Sequence, residues 1–204
     1  MSKDVAKEIL KYLDFDNGFY IECGANDGIF QSNTLYLEKE KNWSGLLIEA
    51  SLSAFTKCKE NRQNNIVLNY ALVSDNYTPL VVSGDFSDGH PCGSVMGMKR
   101  GGGLPNVAVP ATTLNKILKE YNINKIDFFS LDVEGYELEV LGGLDFNIYK
   151  PSYILIEVNT GEEDLYGFME EHNYKNLGCL SDFNLIDDPQ WPKTHNDYLF
   201  KAIK

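Results

Sequence analysis

Acidic side chains stand at the ends of short apolar runs, and this spacing is where chemistry can first be argued. The run Phe19-Tyr20-Ile21 leads into Glu22, and the glycine turn Gly24-Ala25-Asn26-Asp27-Gly28 follows almost at once. A buried strand that ends in an acid and a glycine turn is typical of a nucleotide-binding sheet edge. Glycine allows tight backbone geometry and close approach of a ligand. Because Glu22 and Asp27 are acidic, the turn favours a cationic ligand over a phosphate.

The same placement of acids recurs at later predicted strands. Glu49 follows the second strand, Asp132 follows the fourth, and Glu157 lies within the end of the fifth. A single acid at such a position is most simply a helix cap or a surface residue. Several acids along one edge favour a binding site, because ligands of open parallel sheets bind beyond the carboxyl ends of the strands.

Glu49 stands where an acid can accept hydrogen bonds from both hydroxyls of a ribose. A ribose is also present in NAD, but the first turn lacks the G-x-G-x-x-G pattern that would cradle a dinucleotide pyrophosphate. S-adenosylmethionine combines a ribose with a positive sulfonium and a positive ammonium. The acids and the turn together therefore predict S-adenosylmethionine as the cofactor.

Helical and strand patterns alternate along the chain and would position these acids. The alternation predicts an α/β fold with a mostly parallel sheet and helices on both faces. Helices are expected at 3–13, from Ser32 to about 41, and at 51–60, 113–121, 136–141 and 162–172. Strands are expected at 19–23, 43–48, 66–68, 126–131 and 153–158, with an antiparallel C-terminal edge at 174–180 and 198–203. Residues 77–83 are predicted as a short antiparallel addition.

Composition limits the classes of protein and of partner. The 204 residues are enough for one large domain spanning 1–204, which could be one domain of a longer protein. The formal charge of −12 would repel nucleic acids and anionic membranes, so neither is an expected partner. The four cysteines form no C-x-x-C pair, and the N-terminus shows no signal-peptide pattern. We expect a soluble, cytoplasmic protein; the oligomeric state is not indicated.

Longer segments resemble one family. The chain is similar to the FkbM family of S-adenosylmethionine-dependent methyltransferases, and the matches follow one another in order over roughly residues 19–160. The Asp-Val-Glu-Gly-Tyr-Glu segment is far more specific than any glycine turn. The segments that carry the resemblance are residues 21–28, Ser32-Asn33-Thr34, Leu37-Glu38, 43–49, 71–75, Thr113-Leu114, 126–137 and Val140-Leu141.

The resemblance implies a Rossmann-like, seven-stranded methyltransferase fold and O-methylation of a hydroxyl on a sugar, a glycan or a polyketide-type natural product. It also implies roles for individual residues. Those expected to contact the cofactor are Glu22, Gly24, Asn26, Asp27, Gly28 and Asn33 at the methionine end, Glu49 at the ribose, Tyr70 and Ala71 at the adenine, and Asp132 near the sulfonium or the acceptor.

Two ways of removing the acceptor's proton remain open. One is a general base, for which the candidates are His90 and His195, although a lone histidine is more often structural. Asp132 is the residue expected to matter most to catalysis. The other is a divalent cation, Mg²⁺ or Mn²⁺, held by oxygen ligands from Asp132, Glu157 and Asn159, with Glu134 nearby. Glu134 is otherwise expected to cap the next helix.

A glycine-rich segment at 84–107 is a candidate substrate loop or lid, because loops of this length inside compact domains tend to be functional or disordered. The function predicted from the sequence is O-methyl transfer to a sugar or glycan. The alternatives are a methyltransferase for a natural-product hydroxyl, a non-catalytic S-adenosylmethionine-binding domain and, least favoured, an NAD-dependent oxidoreductase.

Overall fold

The structure is a computed structural model, which describes residues 5–84, 86, 107–158, 162–181 and 196–203. Within these ranges, helices and strands alternate along most of the chain. The helices are α1 (Val5–Ile9), α2 (Leu35–Lys41), α3 (Leu52–Asn61), α4 (Leu114–Glu120), α5 (Glu137–Leu141) and α6 (Glu162–Glu171). The strands are β1 (Phe19–Cys23), β2 (Ser44–Ile48), β3 (Ile66–Leu68), β4 (Ala71–Leu72), β5 (Val81–Gly84), β6 (Val107–Thr112), β7 (Phe128–Leu131), β8 (Tyr153–Val158), β9 (Tyr174–Cys179) and β10 (Asn196–Ala202).

Seven strands form one sheet in the order β3-β2-β1-β7-β8-β10-β9. The first five of these pair in parallel, and β10 pairs antiparallel with both β8 and β9. The predicted mostly parallel sheet with an antiparallel C-terminal edge is confirmed. The strand order turns at β1, so β2 and β7 flank it, and such a switch point is where open sheets bind ligands.

Helices cover both faces of the sheet. Neighbouring residues of a strand point to opposite faces and therefore pack with different helices. On β1, Tyr20 packs with buried residues of α1, α2 and α3, whereas Ile21 packs with α4, α5 and α6. Two apolar layers therefore enclose the sheet, as the continuous apolar runs of the strands predict. This three-layer arrangement is the Rossmann-like fold expected from the sequence.

A second, three-stranded sheet lies beside the main one, in the order β4-β6-β5. It confirms only part of the predicted antiparallel addition at 77–83, because β5 covers Val81–Gly84 and its partner is β6. β4 pairs in parallel with β6, and neither β4 nor β6 was predicted as a strand. Its buried core includes Ala71, Val82 and Val109, and Phe86 packs there.

Two helix ends differ from the sequence prediction by three residues or more. α1 ends at Ile9 and continues as turns towards Leu13, and α2 begins at Leu35 instead of Ser32. Ser32 still stabilises the start of α2, because its Oγ accepts a hydrogen bond from Leu35 N at 3.1 Å. Apart from Gly84, Phe86 and Val107, the predicted lid at 84–107 lies outside the described residues.

None of the helices among the described residues combines the length and the apolar character that crossing a bilayer requires.

Candidate active site

A cleft opens at the carboxyl ends of β1, β2 and β7. Its empty space of about 770 Å³ includes open solvent at the mouth. Six of the predicted cofactor residues meet in its lining: Gly24, Asn26, Glu49, Tyr70, Ala71 and Asp132. Four others lie outside the lining: Glu22, Asp27, Gly28 and Asn33.

Gly24 forms the floor of the cleft between β1 and β7. Its φ is +78°, which favours glycine, and a Cβ at this position would lie 1.8 Å from the carbonyl oxygen of Asp132. Asp132 N in turn donates to Cys23 O at 3.1 Å, so the two turns after β1 and β7 are joined by backbone contacts. No larger residue can occupy this position without separating the two turns.

Glu49 joins the turn after β1 to the segment directly before α3. Its Oε2 accepts a hydrogen bond from Asn26 N and its Oε1 accepts one from Ser51 N, both at 2.8 Å. Burial raises the pKa of Glu49, and the backbone hydrogen bonds oppose that shift. Each oxygen retains a second lone pair. The carboxylate can therefore accept hydrogen bonds from two hydroxyls while it keeps its backbone contacts.

Glu22 is buried and is engaged by the protein itself. Its Oε1 accepts from Asn33 N at 2.9 Å, and its Oε2 accepts from Ser32 Oγ at 2.9 Å and from Thr34 Oγ1 at 2.5 Å. Arg62 Nη1 lies 3.8 Å from the same Oε2. The structure thus places Glu22 in contact with residues 32–34 instead of in the lining of the cleft.

The other residues outside the lining shape the loop that leads from the turn to α2. Asp27 Oδ1 accepts from Ile29 N at 2.9 Å and from Phe30 N at 2.7 Å. The side chain of Asn33 donates to Ser130 Oγ at 3.1 Å, which links this loop to β7. Contact of these residues with the cofactor stays a prediction.

Asp132 and Glu157 form a hydrogen-bonded pair of acids at the ends of the neighbouring strands β7 and β8. Burial raises the pKa of both, and the charge of Glu157 raises the pKa of Asp132 further. The pKa of Glu157 is raised to about 7. A hydrogen bond between two carboxyl groups requires a proton on one of them.

Two further carboxylates increase this effect. Asp197 faces Glu157 as its register partner across β10 and β8, and burial raises its pKa to about 6. The negative charges of Glu134 and Asp197 both raise the pKa of the Asp132–Glu157 pair. The negative charge around the pair therefore favours its protonated form.

A strained turn carries Asp132 and Glu134 into the cleft. Glu134 and Gly135 have φ values of +58° and +96°, and Glu137 Oε1 accepts hydrogen bonds from Val133 N at 3.2 Å and Gly135 N at 3.0 Å. Left-handed geometry at a non-glycine residue is costly unless surrounding contacts fix it. The carboxylate of Glu137 supplies such contacts, and the sequence pattern had not assigned it this role.

A divalent cation finds little support among the described residues. They contain no group of three or more His, Cys, Asp or Glu side chains with the geometry of a metal site. Asp132 and Glu157 bond to each other, and Asn159 lies outside the described residues. The histidines predicted as bases, His90 and His195, also lie outside them. The metal and the histidine bases stay predictions.

Apolar side chains that the sequence had not assigned complete the cleft. Leu72, Phe86, Tyr136 and Val140 stand near Tyr70 and Ala71 in the lining. A flat aromatic base fits such a wall. The cleft thus offers a carboxylate for ribose hydroxyls, an apolar end for adenine and an acidic end for the positively charged sulfonium, so its residues fit S-adenosylmethionine.

A comparison with protein-family models decides the relationship. The model for the methyltransferase FkbM domain matches residues 22–175, which is more than half of the chain. The matched range includes Glu22, Glu49, Asp132 and Glu157. The chain belongs to the FkbM methyltransferase family. This FkbM protein is an S-adenosylmethionine-dependent methyltransferase, as the resemblance implied.

Solved structures with the same fold include several methyltransferases. TrmK of M. capricolum, in complex with the natural cofactor product S-adenosyl-homocysteine, is 12% identical with a TM-score of 0.57, covering 98% of this chain and 68% of that one. The FkbM methyltransferase of Methylobacillus flagellatus KT is 14% identical with a TM-score of 0.57, covering 92% and 44% respectively. Precorrin-6y C5,15-methyltransferase of Geobacter metallireducens GS-15 is 12% identical with a TM-score of 0.53, covering 98% and 88%.

At these identities the likeness shows the fold alone. A search of curated proteins finds none that matches this FkbM protein. The acceptor must therefore be argued from the site.

Proposed function

We propose that this protein transfers the methyl group of S-adenosylmethionine to a hydroxyl oxygen of a sugar or glycan. The observation that carries the proposal is the hydrogen-bonded pair Asp132–Glu157, whose first member lines the same cleft as Glu49 and the glycine turn. A proton acceptor beside the cofactor's cleft is what O-methylation of a weakly acidic alcohol needs.

The cofactor, when bound, supplies an electrophilic methyl group on a sulfonium. The protein must orient it and remove the acceptor's proton. Glu49 and the turn at Gly24 and Asn26 orient the ribose and methionine parts. Asp132 takes the hydroxyl proton and its shared proton shifts to Glu157, so the pair becomes neutral. Bound S-adenosylmethionine would supply the methyl group to the deprotonated oxygen and would leave as S-adenosylhomocysteine.

Support for a sugar as acceptor comes from the polarity of this end of the cleft. Besides Glu49, the carboxylates in the lining of the cleft are Asp132 and Glu134. Carboxylates accept hydrogen bonds from neighbouring hydroxyls of a polyol. The formal charge of −12 disfavours an RNA acceptor, which a phosphate backbone would make strongly anionic. We further propose that the protein works in the cytoplasm, where thiols are kept reduced. This fits the free cysteines Cys23, Cys58 and Cys179.

The test is a methyl-transfer assay with S-adenosylmethionine against a panel of free and nucleotide-linked sugars, short glycans, natural-product alcohols and RNA. We expect a gain of one methylene unit in mass on a sugar or glycan only, and its loss in Asp132→Asn. A product on the natural-product alcohols would replace the acceptor class but keep the mechanism. Methylation at nitrogen or on RNA would refute the proposal.

A further inference from the structure

Arg62 carries a fully buried positive charge beside the glycine turn. It is 0% exposed and lies directly after α3. A buried arginine is costly unless each of its donors finds a partner. Its five N–H groups all donate, to Glu38 Oε2, Gly28 O, Ser32 Oγ, Tyr20 Oη and Thr34 Oγ1.

The acceptors come from three parts of the chain. Tyr20 belongs to β1, and Glu38 belongs to α2. The remaining three acceptors lie between Gly28 and Thr34, the segment that leads out of the glycine turn. A planar guanidinium with fixed donor directions is therefore able to set the position of that segment relative to β1 and α2.

Two carboxylates neutralise the buried charge: Glu38 pairs directly with Arg62 Nε, and Glu22 acts through this same segment. Thr34 Oγ1 accepts from Arg62 Nη2 at 3.0 Å and donates to Glu22 Oε2 at 2.5 Å. Ser32 Oγ also lies between the two, since it accepts from Arg62 Nη1 at 3.1 Å and donates to Glu22 at 2.9 Å. The two hydroxyls bridge a charge pair whose closest charged atoms are 3.8 Å apart.

The end of α3 also holds the turn itself. Arg62 Nη1 donates to Gly28 O at 2.8 Å, and Asn61 Nδ2 donates to Asp27 O at 2.9 Å. A Cβ on Gly28 would lie 2.7 Å from Arg62 Cγ, so the turn packs directly on the arginine. Gly28 N donates to Ala25 O at 2.8 Å, which closes the turn whose Gly24 and Asn26 line the cleft.

We propose that Arg62 is a positioning residue for the cofactor, acting with Glu22 through the turn 24–28 and without contact with the ligand. This inference rests on the proposed function in one respect, namely that S-adenosylmethionine occupies this cleft. It gives Glu22 a role in the scaffold, where the sequence had predicted a ligand contact. Arg62 fixes the turn, and the turn fixes where Gly24 and Asn26 meet the methionine part of the cofactor.

Calorimetric titration with S-adenosylhomocysteine tests the role, because it yields affinity and the fraction of competent protein separately. For Arg62→Met we expect Kd to rise at least tenfold with the stoichiometry unchanged, and for Arg62→Lys we expect an intermediate Kd. A merely structural role would lower the stoichiometry and leave Kd as it is. Lys57→Met removes an exposed charge from the same helix, and its Kd should stay within twofold of the wild type.

Thr34→Val keeps the test decisive if Arg62→Met does not fold. It removes one of the two hydroxyls that bridge Arg62 and Glu22, and we expect a threefold to tenfold weaker Kd. Wild-type affinity in folded Arg62→Met, or in Thr34→Val if the former does not fold, overturns the inference. Glu49→Gln separates the two proposals: if it weakens binding while the Arg62 and Thr34 variants do not, the cofactor site stands and only the role of Arg62 fails. If Glu49→Gln also binds normally, the assignment of the cleft fails as well.

Discussion

Two acids at the ends of adjacent strands, Glu22 on β1 and Asp132 after β7, lie in opposite electrostatic surroundings. Glu22 accepts hydrogen bonds from two hydroxyls and one backbone amide and lies beside Arg62. Asp132 has another acid, Glu157, as its side-chain partner, and Glu134 and Asp197 add negative charge nearby. Burial raises the pKa of both, but donors oppose the shift at Glu22, whereas like charges increase it at Asp132.

The comparison shows that one type of side chain, a carboxyl group, serves two purposes at the ends of neighbouring strands. A carboxylate surrounded by donors is stabilised in its charged form and can act as a fixed point of the scaffold. A carboxyl group surrounded by acids gains by taking up a proton, which is the property a base requires. Substitutions at the two acids should therefore have different effects on activity and on stability.

Asp132→Asn should lower kcat by roughly 10²–10⁴, because it removes the group that takes the acceptor's proton. Its affinity for S-adenosylhomocysteine should stay within about threefold, since Glu49 and the turn are untouched. Methyl-transfer assays at saturating cofactor, together with calorimetry, check both values. A variant with wild-type kcat would remove Asp132 from the chemistry.

Glu22→Gln should lower the free energy of unfolding by roughly 2–4 kcal/mol, because it removes one of the two carboxylates, Glu22 and Glu38, that neutralise the buried charge of Arg62. Asp132→Asn, in contrast, should be neutral or stabilising, since it relieves repulsion among buried acids. Urea unfolding monitored by circular dichroism compares the two variants directly. Equal losses of stability in both would break the distinction between the two acids.

The pH profile should separate the acids further. Activity, measured as kcat/KM, should rise with pH through about 7, the raised pKa of Glu157, as the pair becomes able to accept a proton. Glu157→Gln should shift or flatten this limb of the profile. A wild-type profile that is flat between pH 5 and pH 8 would contradict a base of this kind.

The same acid predicts a pH dependence of stability. The pKa of Glu157 is raised from 4.5 in the unfolded chain to about 7 in the folded protein, so the folded state binds more protons between these values. Its contribution is therefore fully present below about pH 4.5 and is lost as pH rises through 7. This loss should amount to roughly 2 kcal/mol after allowing for partial exposure. Urea unfolding at pH 5 and pH 8, with Glu157→Gln as the control, measures it.

The smallest expected effect is that of chelation. Because Asp132 and Glu157 bond to each other, we expect exhaustive EDTA treatment to change turnover by less than about twofold. Readdition of Mg²⁺ or Mn²⁺ after chelation is the control. A large loss that either ion restores would support the cation hypothesis based on Asp132, Glu157 and Asn159.

The sequence predicted the main sheet well, because its strands are apolar runs buried on both faces and their acids follow at the carboxyl ends. It missed β4 and β6, since β4 has only two residues and β6 contains Pro110, which lacks an amide donor. Pairing with a two-residue strand depends on residues far away in the chain and leaves no local sequence pattern.

The site divides in a similar way. Glu49 and Asp132 could be placed from strand ends alone, and both line the cleft. Glu22 ends β1 in the same manner, but the local pattern cannot show that residues 32–34 fold back over it. Arg62 offered no signal at all, because a single arginine after a helix is ordinarily solvated, and only the folded chain shows its five acceptors.

The absence of a side chain at Gly24 has a consequence for the whole cleft. The Asp132 carbonyl oxygen fills the space that a Cβ on Gly24 would need, so the two turns contact each other through main-chain atoms. In the proposed mechanism, main-chain atoms therefore set the distance between the methyl donor and the proton acceptor Asp132. A change of acceptor, in evolution or by design, would therefore have to come from residues other than Gly24 and the Asp132 main chain, which would stay unchanged.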